Sequence, residues 1–270
     1  MPDGSPDFDR ADVRDRLAAA VREAGALALK TFRGELKSWT KGGGTSPVSE
    51  ADLAIDALLR ERLLTIHDAG WLSEETEDDP ARLARSEVWV VDPIDGTRAY
   101  LAGSPDWAIS AALVGAGRPI VAALYAPATD ELFLSIVGRG ATLNGAPIAA
   151  SRGGQLAGAR FSGAKHRLES LAAIEPRIET APRVPSLALR LARVASGALD
   201  GTLAAPNSHD WDLAAADLLV HEADGVMTTL TGQLLTYNKP RPVHGALIAA
   251  GRARHAALLG IIRDRLAEFA

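Results

Sequence analysis

The sequence predicts an α/β fold of the layered α+β sandwich kind, alternating αβαβα layers, with an antiparallel-rich first lobe and a second lobe of alternating strands and helices. Three observations predict it. Two stretches with helical apolar spacing come first, four strand-like runs punctuated by glycine and proline follow, and from about residue 158 strands alternate with helices. At 270 residues the chain can bury a full core, and we expect one domain over 1–270 made of two lobes, about 1–150 and about 155–270.

The first helix is expected over residues 9–33, because Val13, Leu17, Ala20, Val21, Ala24, Leu27, Ala28 and Phe32 recur at helical spacing and Gly34 closes the run. A second helix should run from near Ser49 to about His67, after a flexible loop at Lys41-Gly42-Gly43-Gly44-Thr45-Ser46-Pro47. That loop lacks the Lys-Ser that would follow in a nucleotide P-loop. Residues 88–91, 107–114, 119–126 and 131–137 read as strands, with tight turns at Gly138, Gly140 and Asn144-Gly145. Beyond them we expect a strand at 159–162, a helix near Leu168, helices at 187–196 and 212–223, strands at 226–229 and 246–250, and a last helix from Arg252. No internal repeat is present.

Hydrophobic residues make up 47% and charged residues 23%, as in an ordinary soluble globule. The net charge of -5 argues against a protein that binds a nucleic acid polymer through its overall field, and a small anionic substrate would need metal ions or local donors. With no cysteine, disulfides, thiolate catalysis and zinc-thiolate sites are excluded, which is compatible with the cytoplasmic location we expect. Met1 to Arg16 is rich in acids and arginines, unlike a signal peptide. The richest apolar stretch, Gly245 to Ile262, is broken by Arg252 and Arg254, so no membrane association is expected.

Asp92-Pro93-Ile94-Asp95-Gly96-Thr97 follows the apolar run Val88-Trp89-Val90-Val91. Two carboxylates, a turn and a hydroxyl thus stand at the carboxyl end of a buried strand, where α/β proteins gather their chemistry. Acids also collect at turns for conformational reasons, so the pair alone is weak. Two further acidic stations accompany it: Ser73-Glu74-Glu75-Thr76 upstream and Asp210-Trp211-Asp212, which opens a helix, downstream. Three such stations suit hard cations that take oxygen ligands. Asp92, Asp95 and the Ile94 carbonyl can address one space, and two cations about 3.5–4 Å apart can share a carboxylate and clamp a phosphate. Gly96 permits close backbone approach, and the Gly96 and Thr97 amides at a helix start offer an anion site.

With Ser49-Glu50-Ala51-Asp52 before them and Gly225 after them, these residues resemble the inositol monophosphatase superfamily of magnesium-dependent, lithium-sensitive phosphomonoesterases over nearly the whole chain. The resemblance implies two or three Mg²⁺ ions held by Glu74, Asp92, the Ile94 carbonyl, Asp95 and Asp212. It implies that Asp52 and Thr97, helped by Glu74, orient and activate the attacking water, and that Asp95, Gly96 and Thr97 meet the substrate. Hydrolysis would proceed by in-line displacement at phosphorus without a phosphoenzyme. Several residues also have plainer readings. Asp52 stands at capping-box spacing from Ser49, Asp210 suits a helix cap, Trp211 a packing anchor, and Glu75, His209 and His221 ordinary polar positions; Asp217 reads as a solvated acid or a partner to the ligands. A non-catalytic phosphate-binding protein on the same frame would be expected to lack a ligand or the water-activating pair, and neither is missing.

Specificity is read from three departures. Arg98-Ala99-Tyr100 follows the threonine where inositol monophosphatases usually carry a polar residue, Asn and Phe; a basic residue there is more similar to 3'(2'),5'-bisphosphate nucleotidases or bacterial histidinol phosphatases. The position of the family's inositol-contacting acid, seven residues before Asp212, is Ala205. Arg190 matches a nucleotidase lysine and would hold a second phosphate, unless it simply shares a solvated helix face with Arg193. We therefore expect a small phosphate ester as partner, adenosine 3',5'-bisphosphate ahead of inositol monophosphate or histidinol phosphate, acted on by a monomer or homodimer.

Overall fold

The structure, a computed structural model, describes residues 9–34, 37–40 and 47–269. Of the expected flexible loop only Pro47 is included; Lys41 to Ser46 lie outside the described residues. The first helix, α1, is Arg10–Thr31, started by the Asp9 carboxylate accepting from the Ala11 amide at 2.8 Å. Two short strands, β1 (Ser38–Thr40) and β2 (Pro47–Ser49), pair antiparallel, and α2 (Glu50–Ile66) follows directly.

A seven-stranded sheet runs in chain order through β3 (Gly70–Ser73), β4 (Glu87–Asp95), β5 (Ala108–Gly115), β6 (Arg118–Ala126), β7 (Glu131–Ile136), β8 (Ala141–Leu143) and β9 (Ala146–Ile148). β3 and β4 are parallel and all other neighbours antiparallel, with the short helix α3 (Thr97–Leu101) between β4 and β5. Successive side chains of a strand point to opposite faces, and the sequence uses both. Trp89, Val91, Ile109, Ala111, Leu113, Val121 and Ala123 pack against α1 and α2, while Val88, Val90, Ala112, Val114, Ala122 and Leu124 face the other way.

The second half begins with β10 (Arg160–Gly163), α4 (Lys165–Ile174), β11 (Glu179–Thr180), α5 (Leu187–Ala195), β12 (Gly201–Ala204) and β13 (Ser208–His209). It continues with α6 (Asp210–Glu222), β14 (Gly225–Thr229), β15 (Val243–His244), β16 (Leu247–Gly251), α7 (Arg252–Arg263) and α8 (Leu266–Phe269). A mixed sheet runs β11-β10-β12-β16-β14, and β13 pairs with β15. Helices α5 and α6 lie between the two sheets, sharing one core with Val88 and Val90 on one side and Met227, Leu247 and Ala249 on the other. Phe161, Leu203, Ile248 and Ala250 bury the outer face of the second sheet against α4, α7 and α8. The layers are therefore αβαβα, as the alternation of elements predicts. No helix among the described residues is long and apolar enough to cross a membrane.

Lying between two sheets, α6 is buried nearly all round, which explains its run of small residues, Ala214, Ala215 and Ala216. The expectation of a solvated Asp217 is overturned: the residue is fully buried, 3.4 Å from an Arg118 guanidinium nitrogen and 3.1 Å from His221 Nε2. A buried carboxylate needs such partners.

Candidate active site

The acids of the Asp92–Asp95 stretch are brought together by an irregularity in β4, not by a turn after it. Asp92 is in register with Ser110 and Asp95 with Ala108, so three steps along β4 match two along β5. Residues three apart on a regular strand face opposite ways; the extra residue restores the facing. Asp92 thus shares the side of Val88 and Val90, and Asp95 joins it opposite Ala108, while Ile94 packs its side chain toward α1 and α2.

Asp212 reaches the same place from the first turn of α6, where its Oδ2 accepts the His209 amide at 2.6 Å. Carboxylate oxygens of Asp92, Asp95 and Asp212 lie within 4.8 Å of one another. Glu74 follows β3, with its amide donating to the Val91 carbonyl at 3.3 Å, and lines the same cavity. This cavity, about 280 Å³, is bounded by Pro47, Glu74, Asp92, Asp95, Gly96, Thr97, Arg98, Arg183, Pro185 and Asp212.

Like charges at this spacing and burial disfavour ionisation. Burial first, then the charges of Glu74, Asp95, Asp212 and Asp52, pushes the Asp92 carboxyl well above the ordinary range. Asp212 moves the same way, through burial and then Asp95, despite its hydrogen bond from the His209 amide. Asp95 is raised by burial but opposed by donors: Ser186 Oγ at 2.5 Å, the Ala188 amide at 2.6 Å, the Leu187 amide and the charge of Arg190. Asp95 Oδ2 therefore receives the Ala188 amide at the amino terminus of α5, where a helix favours negative charge. Both Asp92 oxygens are buried without a hydrogen-bond partner. Two orphaned carboxylate oxygens beside Glu74, Asp95 and Asp212 are the arrangement a hard cation would complete, and the donor set, all oxygen, fits Mg²⁺.

Thr97 is the first residue of α3, after Gly96 at φ 94°. A Cβ at Gly96 would stand 3.2 Å from the Asp106 carbonyl oxygen and 3.3 Å from Ser186 Cβ, so both conformation and space require glycine. The Thr97 hydroxyl lies 3.3 Å from Asp52 Oδ1 and 3.1 Å from the Ile94 carbonyl oxygen. Asp52 is 1% exposed, and its other oxygen accepts the Ser49 amide at 2.7 Å and hydroxyl at 2.5 Å. The capping box and the pairing with Thr97 thus coexist, one oxygen each; burial raises the Asp52 carboxyl above its usual range.

Arg190 is not in the cavity wall, nor on a solvated helix face. It is 7% exposed, donates from Nη1 to the Val184 carbonyl at 3.1 Å, and burial lowers it to about 10. Arg193 instead pairs with Asp106 and Glu131, each at 3.0 Å. Among the described residues, the cations that line the cavity are Arg98 and Arg183. Sequence reasoning passed over Arg183, Pro185 and Ser186; the only signal for them was a serine opening the apolar run of α5, which it caps by accepting the Leu189 amide at 3.0 Å. His209 stacks on Trp211 at 4.5 Å between ring centres, and neither lines the cavity. Asp210 is bound to His244 at 2.7 Å and does not act as the helix cap, a part His209 and Asp212 take. Ala205 is exposed and outside the cavity wall.

Comparison with known proteins agrees with this geometry. The family model described as "Inositol monophosphatase family" matches residues 9–266. The chain is 31% identical over 263 residues to the Nus factor SuhB of Escherichia coli K12, covering 92% of this chain and 95% of that one. It is 34% identical over 232 residues to the inositol-1-monophosphatase of Rhizobium meliloti, covering 80% and 85%. Among solved structures, the extragenic suppressor protein suhB of Bartonella henselae superposes with a TM-score of 0.80 at 26% identity, covering 92% of this chain and 97% of that one. A cavity walled by carboxylates at the end of β4, in an αβαβα frame and with the family model matching residues 9–266, identifies the chain as a member of the inositol monophosphatase family of phosphomonoester hydrolases.

Proposed function

We propose that this enzyme hydrolyses a 3'(2'),5'-bisphosphate nucleotide, adenosine 3',5'-bisphosphate being the reference substrate, in a Mg²⁺-dependent reaction. Glu74, Asp92, Asp95, Asp212 and the Ile94 carbonyl would hold two or three Mg²⁺ ions. When bound, these would lower the pKa of water, neutralise the phosphate and stabilise the leaving alkoxide.

The chain's own residues supply orientation and proton handling. Thr97, with its hydroxyl donated to Asp52 Oδ1, leaves oxygen lone pairs to accept a proton-bearing water at the cavity wall. The hydroxyl then relays a proton toward Asp52, whose carboxyl is raised by burial and so is better suited to take it. Glu74 stands in the same wall as a second acceptor. Gly96 keeps the backbone open to the phosphate. Because Asp212 comes from α6 and the other acids from around β4, we read the whole chain as one catalytic unit.

One observation carries the choice of substrate: Arg183 lines the acid cavity and also a neighbouring cavity of about 360 Å³, whose wall includes Leu168, Ala172, Ala181, Thr180 and Lys165. A guanidinium between two cavities suits a substrate with a second anionic group and a further apolar body, which a polyol monophosphate lacks. Inositol monophosphate is the second reading, favoured by the 34% identity to an inositol-1-monophosphatase; histidinol phosphate is a third.

Turnover with Mg²⁺ should be compared across adenosine 3',5'-bisphosphate, inositol 1-phosphate and histidinol phosphate. The expected result is a preference for the bisphosphate, and an Arg183→Gln variant whose KM for it rises about tenfold or more while inositol 1-phosphate is little affected, as for a lost charge-assisted hydrogen bond. A kcat/KM for inositol 1-phosphate about tenfold above that for the bisphosphate sinks the nucleotide reading.

A further inference from the structure

We infer that Arg82 is a positioning residue for the acid cavity: a buried guanidinium that ties the Glu74 stretch to the amino-terminal end of α6, and so sets the spacing between Glu74 and Asp212. The inference rests on the metal reading above but not on the choice of substrate.

Arg82 sits on the 3₁₀ helix Pro80–Ala84 and is 2% exposed. Nε and Nη2 grip both oxygens of Asp78 at 2.6 and 2.9 Å, and Asp78 is four residues beyond Glu74. Nη1 donates to Asn238 Oδ1 at 2.5 Å and Nη2 to the Lys239 carbonyl at 3.0 Å, more than 150 residues away in the chain. From there the connection is short. The Asn238 amide donates to Asp210 Oδ2 at 2.7 Å, with Asn238 held at a left-handed φ of 56°, and Asp210 Oδ1 accepts His244 Nε2 at 2.7 Å. Asp210 is fully buried, opens α6 and stands two residues before Asp212.

Four bonds from one planar guanidinium fix both distance and angle between the two stretches, a task a lysine cannot perform. The need for a fixed spacing follows from charge. Carboxylates of Glu74, Asp92, Asp95 and Asp212 repel in the absence of cation, and Glu74 and Asp212 ride on separate segments with no covalent link nearer than the length of the fold. The Glu74 amide is held to β4 at Val91 and the Trp211 carbonyl to β5 at Ser110, and the Arg82 bonds add the direct connection between the two stretches, which a cation would otherwise have to supply. With it, the acids stand at one separation beforehand, and the ordering cost is already met.

The test is Mn²⁺ and Mg²⁺ binding by titration calorimetry to the full chain and to its Arg82→Lys and Asn238→Gly variants, glycine keeping the left-handed φ while removing the side chain, with folding checked by circular dichroism and thermal unfolding. Arg82→Lys should weaken metal binding by roughly tenfold to a hundredfold, the range for residues supporting a metal's ligands. The activity of that variant should recover most of its kcat at high Mg²⁺, and adding Asn238→Gly should weaken binding little further, since the Asn238 side chain meets the link only through Arg82. If Arg82→Lys does not fold, Asn238→Gly alone should show a smaller weakening in the same direction, because the Lys239 carbonyl still holds the guanidinium. Folded variants with a lowered melting temperature and an unchanged metal dissociation constant would overturn the inference, leaving Arg82 a staple of the fold. A parent chain that binds neither ion would sink the metal reading itself, a distinct outcome.

Discussion

At the scale of single residues, Asp92 is where fold and chemistry oppose each other most directly. Its two oxygens are buried and unpartnered among other acids, so the side chain is a poor choice for stability and a good one for holding a cation. Asp92→Asn should therefore lower kcat/KM by about 10³-fold or more, several kcal/mol at about tenfold per 1.4. In chelator, its melting temperature should equal or exceed the parent's, because a repulsive charge has gone. A variant keeping more than about a tenth of the rate would refute the role. Asp92, Asp95, Thr97 and Asp212 were legible because they stand in short, dense motifs beside strand and helix ends. Arg183 was not: it is an exposed arginine in an irregular stretch, and only the second cavity at its other side marks it. Arg190 misled for a related reason, since helical spacing alone does not say which of two arginines three residues apart turns inward.

At the scale of elements, the capping of α5 joins two functions. Ser186 accepts the Leu189 amide and donates to Asp95, so Ser186→Ala removes an N-cap and loosens a cavity acid together. It should cost about 1–2 kcal/mol in denaturant unfolding and raise the Mg²⁺ needed for half-maximal rate; unchanged metal dependence would separate Asp95 from the cap. A second element-scale effect lies between β14 and α7. Thr228 gives its hydroxyl proton to the Thr229 carbonyl at 2.8 Å and receives His255 Nε2 at 2.9 Å. Burial, then the charge of His221, lowers His255 from 6.5 to about 4. Between those values the unfolded chain binds a proton that the folded chain does not, so stability present above about pH 6.5 is lost as pH falls toward 4. His255→Gln should flatten that part of the melting-temperature profile; an unaltered slope would rule His255 out as its source. Most of these elements follow from periodicity: α1, α2 and the strands β5 to β7 lie within a residue or two of where the spacing puts them. β4 runs on to Asp95, because the irregularity keeps Asp-Pro-Ile-Asp in the ladder, whereas the Pro-containing motif reads locally as a turn. β3 is four residues long with no alternation to reveal it, and the pairs β1–β2 and β13–β15 depend on partners distant from any local pattern.

At the scale of the whole molecule, the acid cavity is a joint between the two halves of the fold. Glu74, Asp92 and Asp95 belong to the first sheet and its edges, Asp212 to the helix between the sheets, and Ser110 Oγ donates to the Trp211 carbonyl at 3.2 Å across the same seam. Like charge there pushes the segments apart, and a cation shared among them reverses the sign of the contact, so metal should stabilise the chain globally. Mass action gives about 2.7 kcal/mol at 100 times the dissociation constant. For a chain of this size each kcal/mol moves the melting temperature by about 2–4 °C, so saturating Mg²⁺ should raise it by roughly 5–10 °C over chelator. Screening by salt also weakens repulsion, and the comparison must therefore be made at matched ionic strength with NaCl. A specific site predicts that NaCl reproduces little of the rise and that Asp92→Asn abolishes most of it, since the proposed shared ligand is gone. An equal rise in NaCl, or one that survives Asp92→Asn, would mean that the acids respond to ionic atmosphere alone and that no cation bridges the two halves of the fold.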